Sequence, residues 1–454
     1  MAGKKKKNKK RSDAGTVIFR MVGAELAVIA AVLVVLGVIF IPRILNSFGV
    51  SIPQLLGISG TSETEAPTGP TQVASLTTAA AASTPAANEA EPETAVEDNT
   101  PEEQQAQISL TAVGDNLMRR SGTLSGLQPD GTYNYYDNFV NVRNSFRSAD
   151  LTVLSQDTVM AGTEYGVTEG NLYTTGTEIG DSMVDAGINV VTAANNHILD
   201  MGADGLNNMI NYWHGTYPQV TLLGVNQSSS EHQDPVVIDV SGIKVAMINY
   251  TTESNVTDAL DSEPYLVNLY DEDWLTEIIA SCREEADFII VFPHWGHDAG
   301  GNISDEEQEQ AQFLADQGAD LVIGNGTGVV QPAMWIDGEE GNHTLVYYSL
   351  GDFQSTEDKT ENMLGGQATV TITKTNRRTY ISNCALGFTV TQYADQTEEG
   401  YFDTVTTFLW SDYLDEMAEN HGILAWEPDF SKSSLDTLRK KVLKKSDLTI
   451  PEGN

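Results

Sequence analysis

Six apolar stretches of this 454-residue chain run into polar side chains that could do chemistry. The first ends in Gly114-Asp115-Asn116, with Arg120 soon after. The second ends in Ser155-Gln156-Asp157, and the third in Asn195-Asn196-His197, with Asp200 following. The others end in His294-Trp295-Gly296-His297-Asp298, in Gly324-Asn325-Gly326-Thr327-Gly328 and in Ser349-Leu350-Gly351-Asp352. Taken singly, each has a plain structural explanation. An Asp after a strand caps a helix, Asn-Asn is common in turns, and a lone His is more often packed than ligating. Together they supply carboxylate, amide and imidazole groups at successive strand ends, which suits a divalent transition metal such as Mn, Fe or Zn. Such a site polarises a phosphoryl or carbonyl oxygen and generates hydroxide near neutral pH.

The elements that must position these groups read as strand–helix alternation. Buried strands are expected at ISLTAVG from Ile108, LTVLS (151–155), INVVTAA (188–194), VTLLG (220–224), DFIIVF (287–292) and DLVIG (320–324). Helical spacing marks Thr174 to Ala186, Asp204 to His214, Trp274 to Glu285 and Glu306 to Gln317. VVIDV and KVAMINY, split by Ser-Gly, predict a hairpin over 236–250. TLVYYSL, ATVTITK and ISNCALGFTV make the later part β-rich. The pattern predicts a layered α/β domain with helices outside, and open α/β sheets take ligands at the carboxyl ends of their strands. Beyond about Trp410 the pattern weakens until SLDTLRKKVLKK, a short basic amphipathic stretch. It reads as a helix packing on the domain, with membrane or polymer contact as the rival reading.

The formal net charge is −39, unevenly placed. Residues 1–43 hold nine Lys and Arg against Asp13 and Glu25, whereas residues 44–454 hold 16 basic and 62 acidic residues. A surface that negative repels nucleic acid and attracts cations. Met21 to Ile41 is almost wholly apolar, long enough to cross a bilayer, and the lysines before it put the N-terminus inside. The expected organisation is a basic cytoplasmic tail (1–20), a transmembrane anchor (21–42), a disordered Thr/Ser/Ala/Pro/Glu-rich stalk (43–107), an α/β domain (108–410) and a C-terminal extension (411–454). That makes a single-pass membrane protein with its C-terminal domain extracellular; a cleaved signal peptide is the rival reading. Two cysteines, Cys282 and Cys384, are too few for a disulfide framework; they read as two reduced buried thiols, with a single bridge as the rival reading.

The order of the polar motifs resembles the CapA, or poly-γ-glutamate capsule biosynthesis, family, whose members are relatives of calcineurin-like metallophosphoesterases. The likeness runs from about Ile108 to Thr373 and is carried by GDNLMRR, DLTVLSQD, AANNHILDMG, HWGHD and SLGDF. It implies a layered α/β sandwich of metallophosphoesterase type. It also implies a divalent metal held by Asp115, Asp157, Asn196 and His294, with Asn325 of the next strand-end segment as a further, weaker oxygen ligand. His197 would be the acid/base or substrate-orienting group, and Arg120 would sit near an anionic group. The implied partners are an anionic or amide-linked surface polymer and the proteins of a capsule machinery.

Three departures bear on chemistry. Where the family has Gly-His-His-Pro-His-Val, this chain has GNGTGV, so Asn325, Gly326 and Gly328 stand in place of histidines. A family Asn-Leu-Glu is Ser-Gln-Asp here, and a family Asn is Asp352. Fewer imidazoles weaken a two-metal site, and His297, Asp298 and Asp352 are placed where they could compensate. Two readings stay open at this stage: a metal-dependent hydrolase or transferase acting at the cell surface, and a degenerate member serving as a scaffold or polymer-binding part of an envelope assembly. A plain adhesin is a third, disfavoured by the His197 and His294 blocks.

Overall fold

The structure, a computed structural model, describes residues 105–167, 170–295, 300–339 and 341–449. The expected tail, anchor and nearly all of the stalk lie outside the described residues, as do His297 and Asp298. Among the described residues no helix is long and apolar enough to cross a membrane.

Among the described residues, fourteen strands form two sheets. The first contains β1 (Ala106–Asn116), β2 (Leu151–Ser155), β3 (Val190–Thr192), β4 (Thr221–Leu223), β11 (Asp352–Gln354), β12 (Leu364–Lys374), β13 (Thr379–Gln396) and β14 (Phe402–Leu409). Its order is β14-β13-β12-β1-β2-β3-β4, with β11 also pairing β1. β1 to β4 pair in parallel, and β12 to β14 extend the sheet as an antiparallel meander. The second sheet contains β5 (Val236–Val240), β6 (Ile243–Thr251), β7 (Phe288–His294), β8 (Leu321–Ile323), β9 (Ala333–Asp337) and β10 (His343–Tyr347), in the order β5-β6-β7-β8-β10-β9. The expected hairpin is β5–β6, turned by Ser241 and Gly242 at φ 53° and 85°, the left-handed pair that a two-residue hairpin loop favours.

Side-chain alternation sorts these strands into layers. Phe288, Ile290 and Phe292 of β7 face Ile108, Leu110 and Ala112 of β1 across a core shared by both sheets. The alternate residues Ile289 and Val291 pack outward, against Leu275, Ile279 and Leu314 of the covering helices. β7 is therefore buried on both faces, which is why its sequence is a continuous apolar run. Each such side chain contributes roughly 1.5–3 kcal/mol of burial.

Five of the helices are long enough to cover a sheet. After the short α1 (Arg120–Ser125) come α2 (Glu178–Ala186), α3 (Gly202–Thr216), α4 (Glu272–Glu285), α5 (Asp305–Asp316) and α6 (Lys432–Lys445). α2 and α3 cover the first sheet through Ile179, Met183, Met209 and Trp213. α4 and α5 start where their caps dictate: Asp271 accepts from the Trp274 amide, and Ser304 and Glu307 form a capping box. The result is a helix–sheet–sheet–helix sandwich, the layered architecture expected.

Two boundaries differ from the sequence reading. β1 begins at Ala106, two residues inside the expected stalk. The segment after residue 410 belongs to the domain, because Tyr413, Ile423, Phe430, Leu435 and Val442 join the core between the sheets. Its last part is α6, the amphipathic helix expected to pack on the domain; before it, Tyr413, Ile423 and Phe430 are spaced too irregularly to read as elements, yet they complete that core. Cys282 and Cys384 are free thiols, as expected.

Candidate metal centre

Parallel pairing brings the strand ends into line. Asp115 pairs with Ser155, Ser155 with Thr192, Thr251 with His294, and His294 bridges to Asn325. Asn249 of β6 fastens the two sheets at this edge: its Oδ1 accepts from the amides of Ala193 and Ala194, and its Nδ2 donates to the Phe292 carbonyl. A Cβ at Gly114 would lie 1.8 Å from the Gly351 carbonyl oxygen, so only glycine lets β1 pass this close to the 350–352 segment.

Asp115, Asp157 and His294 converge there, all buried, each offering one ligand atom within 4.8 Å of the others. His294 Nδ1 is 3.6 Å from Asp115 Oδ1, and its Nε2 is 3.9 Å from Asp157 Oδ1 and 3.0 Å from Asn196 Oδ1. Asp115 is fixed from both sides, accepting from the Ser155 hydroxyl at 2.6 Å and from the Gly326 amide at 3.0 Å. Asp157 Oδ1, His294 Nδ1 and Asn325 Oδ1 are buried without a hydrogen-bond partner.

Burying polar atoms without partners is costly, and so is setting two carboxylates side by side. Both costs fall if a cation sits among these atoms, so the donor set fits a divalent metal. Burial, joined by the neighbouring Asp115 charge, raises the Asp157 carboxyl to about 6. Burial opposes charging of His294, but the carboxylates of Asp115 and Asp157 outweigh it and raise its imidazole. Both groups therefore take up a proton more readily than usual, and a bound cation would compete with that proton.

The centre opens into a cleft lined by Asp115, Asp157, Asn196, His197, Glu253, Asp352, Glu357 and Arg119, among others. His197 Nδ1 meets Asp200 Oδ2 at 2.7 Å, and its ring packs on Tyr173. Burial opposes its protonation, but the bond to Asp200 and the charge of Asp157 raise it above the ordinary histidine range. Asp352 pairs with Asp115 in sheet register, and burial, with the charges of Asp115, Glu357 and Asp157, drives its carboxyl well above the usual range.

Arg120 is placed elsewhere. Its guanidinium lies over the Tyr401 ring at 5.9 Å, whereas Arg119 lines the cleft, ion-pairs with Glu357 and lies 5.3 Å from the Tyr173 ring. Consecutive residues entering a helix project about 100° apart, so one of two adjacent arginines faces the cleft and the other does not. The Arg119 Nε is buried without a partner. At Gly328, with φ +68°, a Cβ would meet Asn362 Nδ2 at 2.8 Å. A histidine there would need Asn362 to move and the backbone to bear strain.

Asp200, Tyr173, Glu253, Glu357 and Asn362 were not assigned roles from sequence. Asp200 carried one signal, its place three residues after His197. The other four come from connecting segments whose approach to the strand ends has no local signature.

Residues 109–357, more than half the chain, match the family model described as bacterial capsule synthesis protein PGA_cap. The chain belongs to this family. Among PGA_cap relatives, it is 26% identical over 170 residues to the PGA biosynthesis protein CapA of Bacillus subtilis (strain 168), covering 37% of this chain and 43% of that protein. It is 26% identical over 174 residues to the capsule biosynthesis protein CapA of Bacillus anthracis, covering 37% and 40%. The matched region thus spans less than half the length of these curated relatives. Similar solved structures include the NAD nucleotidase NadN of Haemophilus influenzae (TM-score 0.41, 12% identity, 77% of this chain and 65% of that one). Another is the calcineurin-like phosphoesterase YfkN of Bacillus subtilis (TM-score 0.36, 13% identity, 63% and 91%).

Proposed function

We propose that this chain is a membrane-anchored protein of capsule or envelope-polymer biosynthesis whose extracellular domain carries a metal-dependent hydrolase or transferase site for an anionic or amide-linked polymer such as poly-γ-glutamate. The observation that carries this reading is the convergence of Asp115, Asp157 and His294, with unpartnered buried ligand atoms on the last two. A divalent cation bound there would supply Lewis-acid polarisation of a phosphoryl or carbonyl group.

The chain's own residues supply the rest. Asp115 is immobilised by Ser155 and Gly326, so its carboxylate is preorganised. His197, oriented by Asp200, holds a proton at the cleft wall, where it can pass to or from a leaving group. Arg119, with its unpartnered Nε–H, presents a guanidinium to an anionic substrate in the cleft.

The second reading, a non-catalytic scaffold, is favoured by one observation. The GNGTGV segment offers backbone where the family has imidazoles, and Gly328 is closed by Asn362. Hydrolysis of a generic phosphodiester by the full chain, stripped with chelator and reloaded with Mn, Zn or Fe, separates the two readings. Restored turnover that Asp157→Asn abolishes is expected. A chain inert with every metal would leave the scaffold reading in its place.

A further inference from the structure

Past residue 43 the chain has 16 Lys and Arg, and six of them lie on the 14-residue helix α6. The single carboxylate of α6, Asp436, pairs with Arg439 and Lys440. Lys441 and Lys445, one turn apart and exposed, make no ion pair among the described residues; Lys445 Nζ donates to Asn302 Oδ1. Cations in a last helical turn answer its free carbonyls, but Lys441 precedes that turn.

Both lysines line a shallow groove with Val329, Val330 and Val442, in which Glu361 is the one carboxylate. The groove adjoins the metal centre. Gly328 and Asn362 line the central cleft, while their neighbours Val329 and Glu361 line the groove. Asn362 Nδ2 donates to the Gly328 carbonyl at 2.9 Å, so the two segments form one wall.

Charge decides what the groove suits. The cleft is lined by five carboxylates and one guanidinium, so on its own it repels a polyanion. Binding energy for such a substrate must come from a part of it remote from the reacting bond. We propose that the groove beside α6 is a docking subsite for a linear polycarboxylate chain. Lys441 and Lys445 hold its carboxylates while an adjoining stretch reaches the metal centre. The biological role rests on the function proposed above, but binding in the groove requires no metal.

The test is fluorescence anisotropy of a dye-labelled glutamate oligomer titrated with the full chain in EDTA, at low and high salt. Salt-sensitive binding is expected, weakened about tenfold in Lys441→Gln/Lys445→Gln. Lys440→Gln, on the same helix but paired with Asp436, should change it by less than about twofold. Unchanged melting curves would show that the variants fold. No binding by the parent chain, or equal losses in all variants, would overturn the subsite. So would lysine-dependent binding to phosphatidylserine vesicles without binding to the oligomer. Because EDTA is present throughout, this binding tests the groove alone; a chain that binds the oligomer in this way but gains no turnover on metal reloading counts against the proposed chemistry and not against the groove.

Discussion

His197 Nδ1 lies 2.7 Å from the carboxylate of Asp200, whose side chain is sealed from solvent and also accepts the Tyr173 amide. The contact fixes the imidazole's tautomer and leaves Nε2 as the ring nitrogen free for chemistry. Asp200→Asn should keep the fold and lower kcat for a phosphodiester by about 10²-fold, with the pH profile of kcat displaced. An unchanged profile would make Asp200 purely structural.

Arg119 and Arg120 are adjacent, but only Arg119 lines the cleft. Arg119→Lys loses the planar fork and should raise KM for an anionic substrate about tenfold with kcat nearly constant. Arg120→Lys should leave both parameters near the parent values. Steady-state kinetics on the two variants decides between the arginines, and the opposite ranking would return the role to Arg120.

His421 is a pH probe remote from the strand-end carboxylates. Its Nε2 donates to the Thr391 carbonyl and its Nδ1 accepts from the Ile423 amide, so it is buried neutral. Burial lowers it to about 4, against a smaller opposing effect of the Thr391 bond. Its folded value lies below the unfolded one of about 6.5. The stability this site allows is therefore complete above about pH 6.5 and is lost as the pH falls toward 4, by about 1.4 kcal/mol per unit. Urea unfolding at pH 7 and 5 should show a loss that His421→Gln reduces by about 2 kcal/mol. Equal pH slopes would contradict it.

Gly114→Ala should destabilise the domain by about 3 kcal/mol, because the new Cβ meets backbone that cannot swing away. Thermal melting checks this, and a variant as stable as the parent would mean that β1 and the 350–352 segment separate easily.

Much of this site was legible in the chain because strand ends in parallel sheets share an edge, so Asp115, Asp157, Asn196 and His294 could be gathered without knowing any angle. The layers were legible for a similar reason: the apolar run of β7 signals burial on both faces. What escaped depended on phase or on distance. Which of Arg119 and Arg120 faces the cleft turns on where a one-turn helix begins. Tyr173, Glu253 and Glu357 arrive on connecting segments. The C-terminal segment joins the core through scattered residues such as Tyr413 and Ile423, with no period to announce them.

The most direct measurement is metal content by plasma mass spectrometry, made on the full chain after equilibration with Mn, Zn or Fe and removal of excess. About one ion per chain is expected, held by mixed carboxylate, amide and imidazole donors, and lost in both Asp157→Asn and His294→Ala while the melting curve survives. A folded chain that binds no ion, or variants that keep it, would contradict the metal centre.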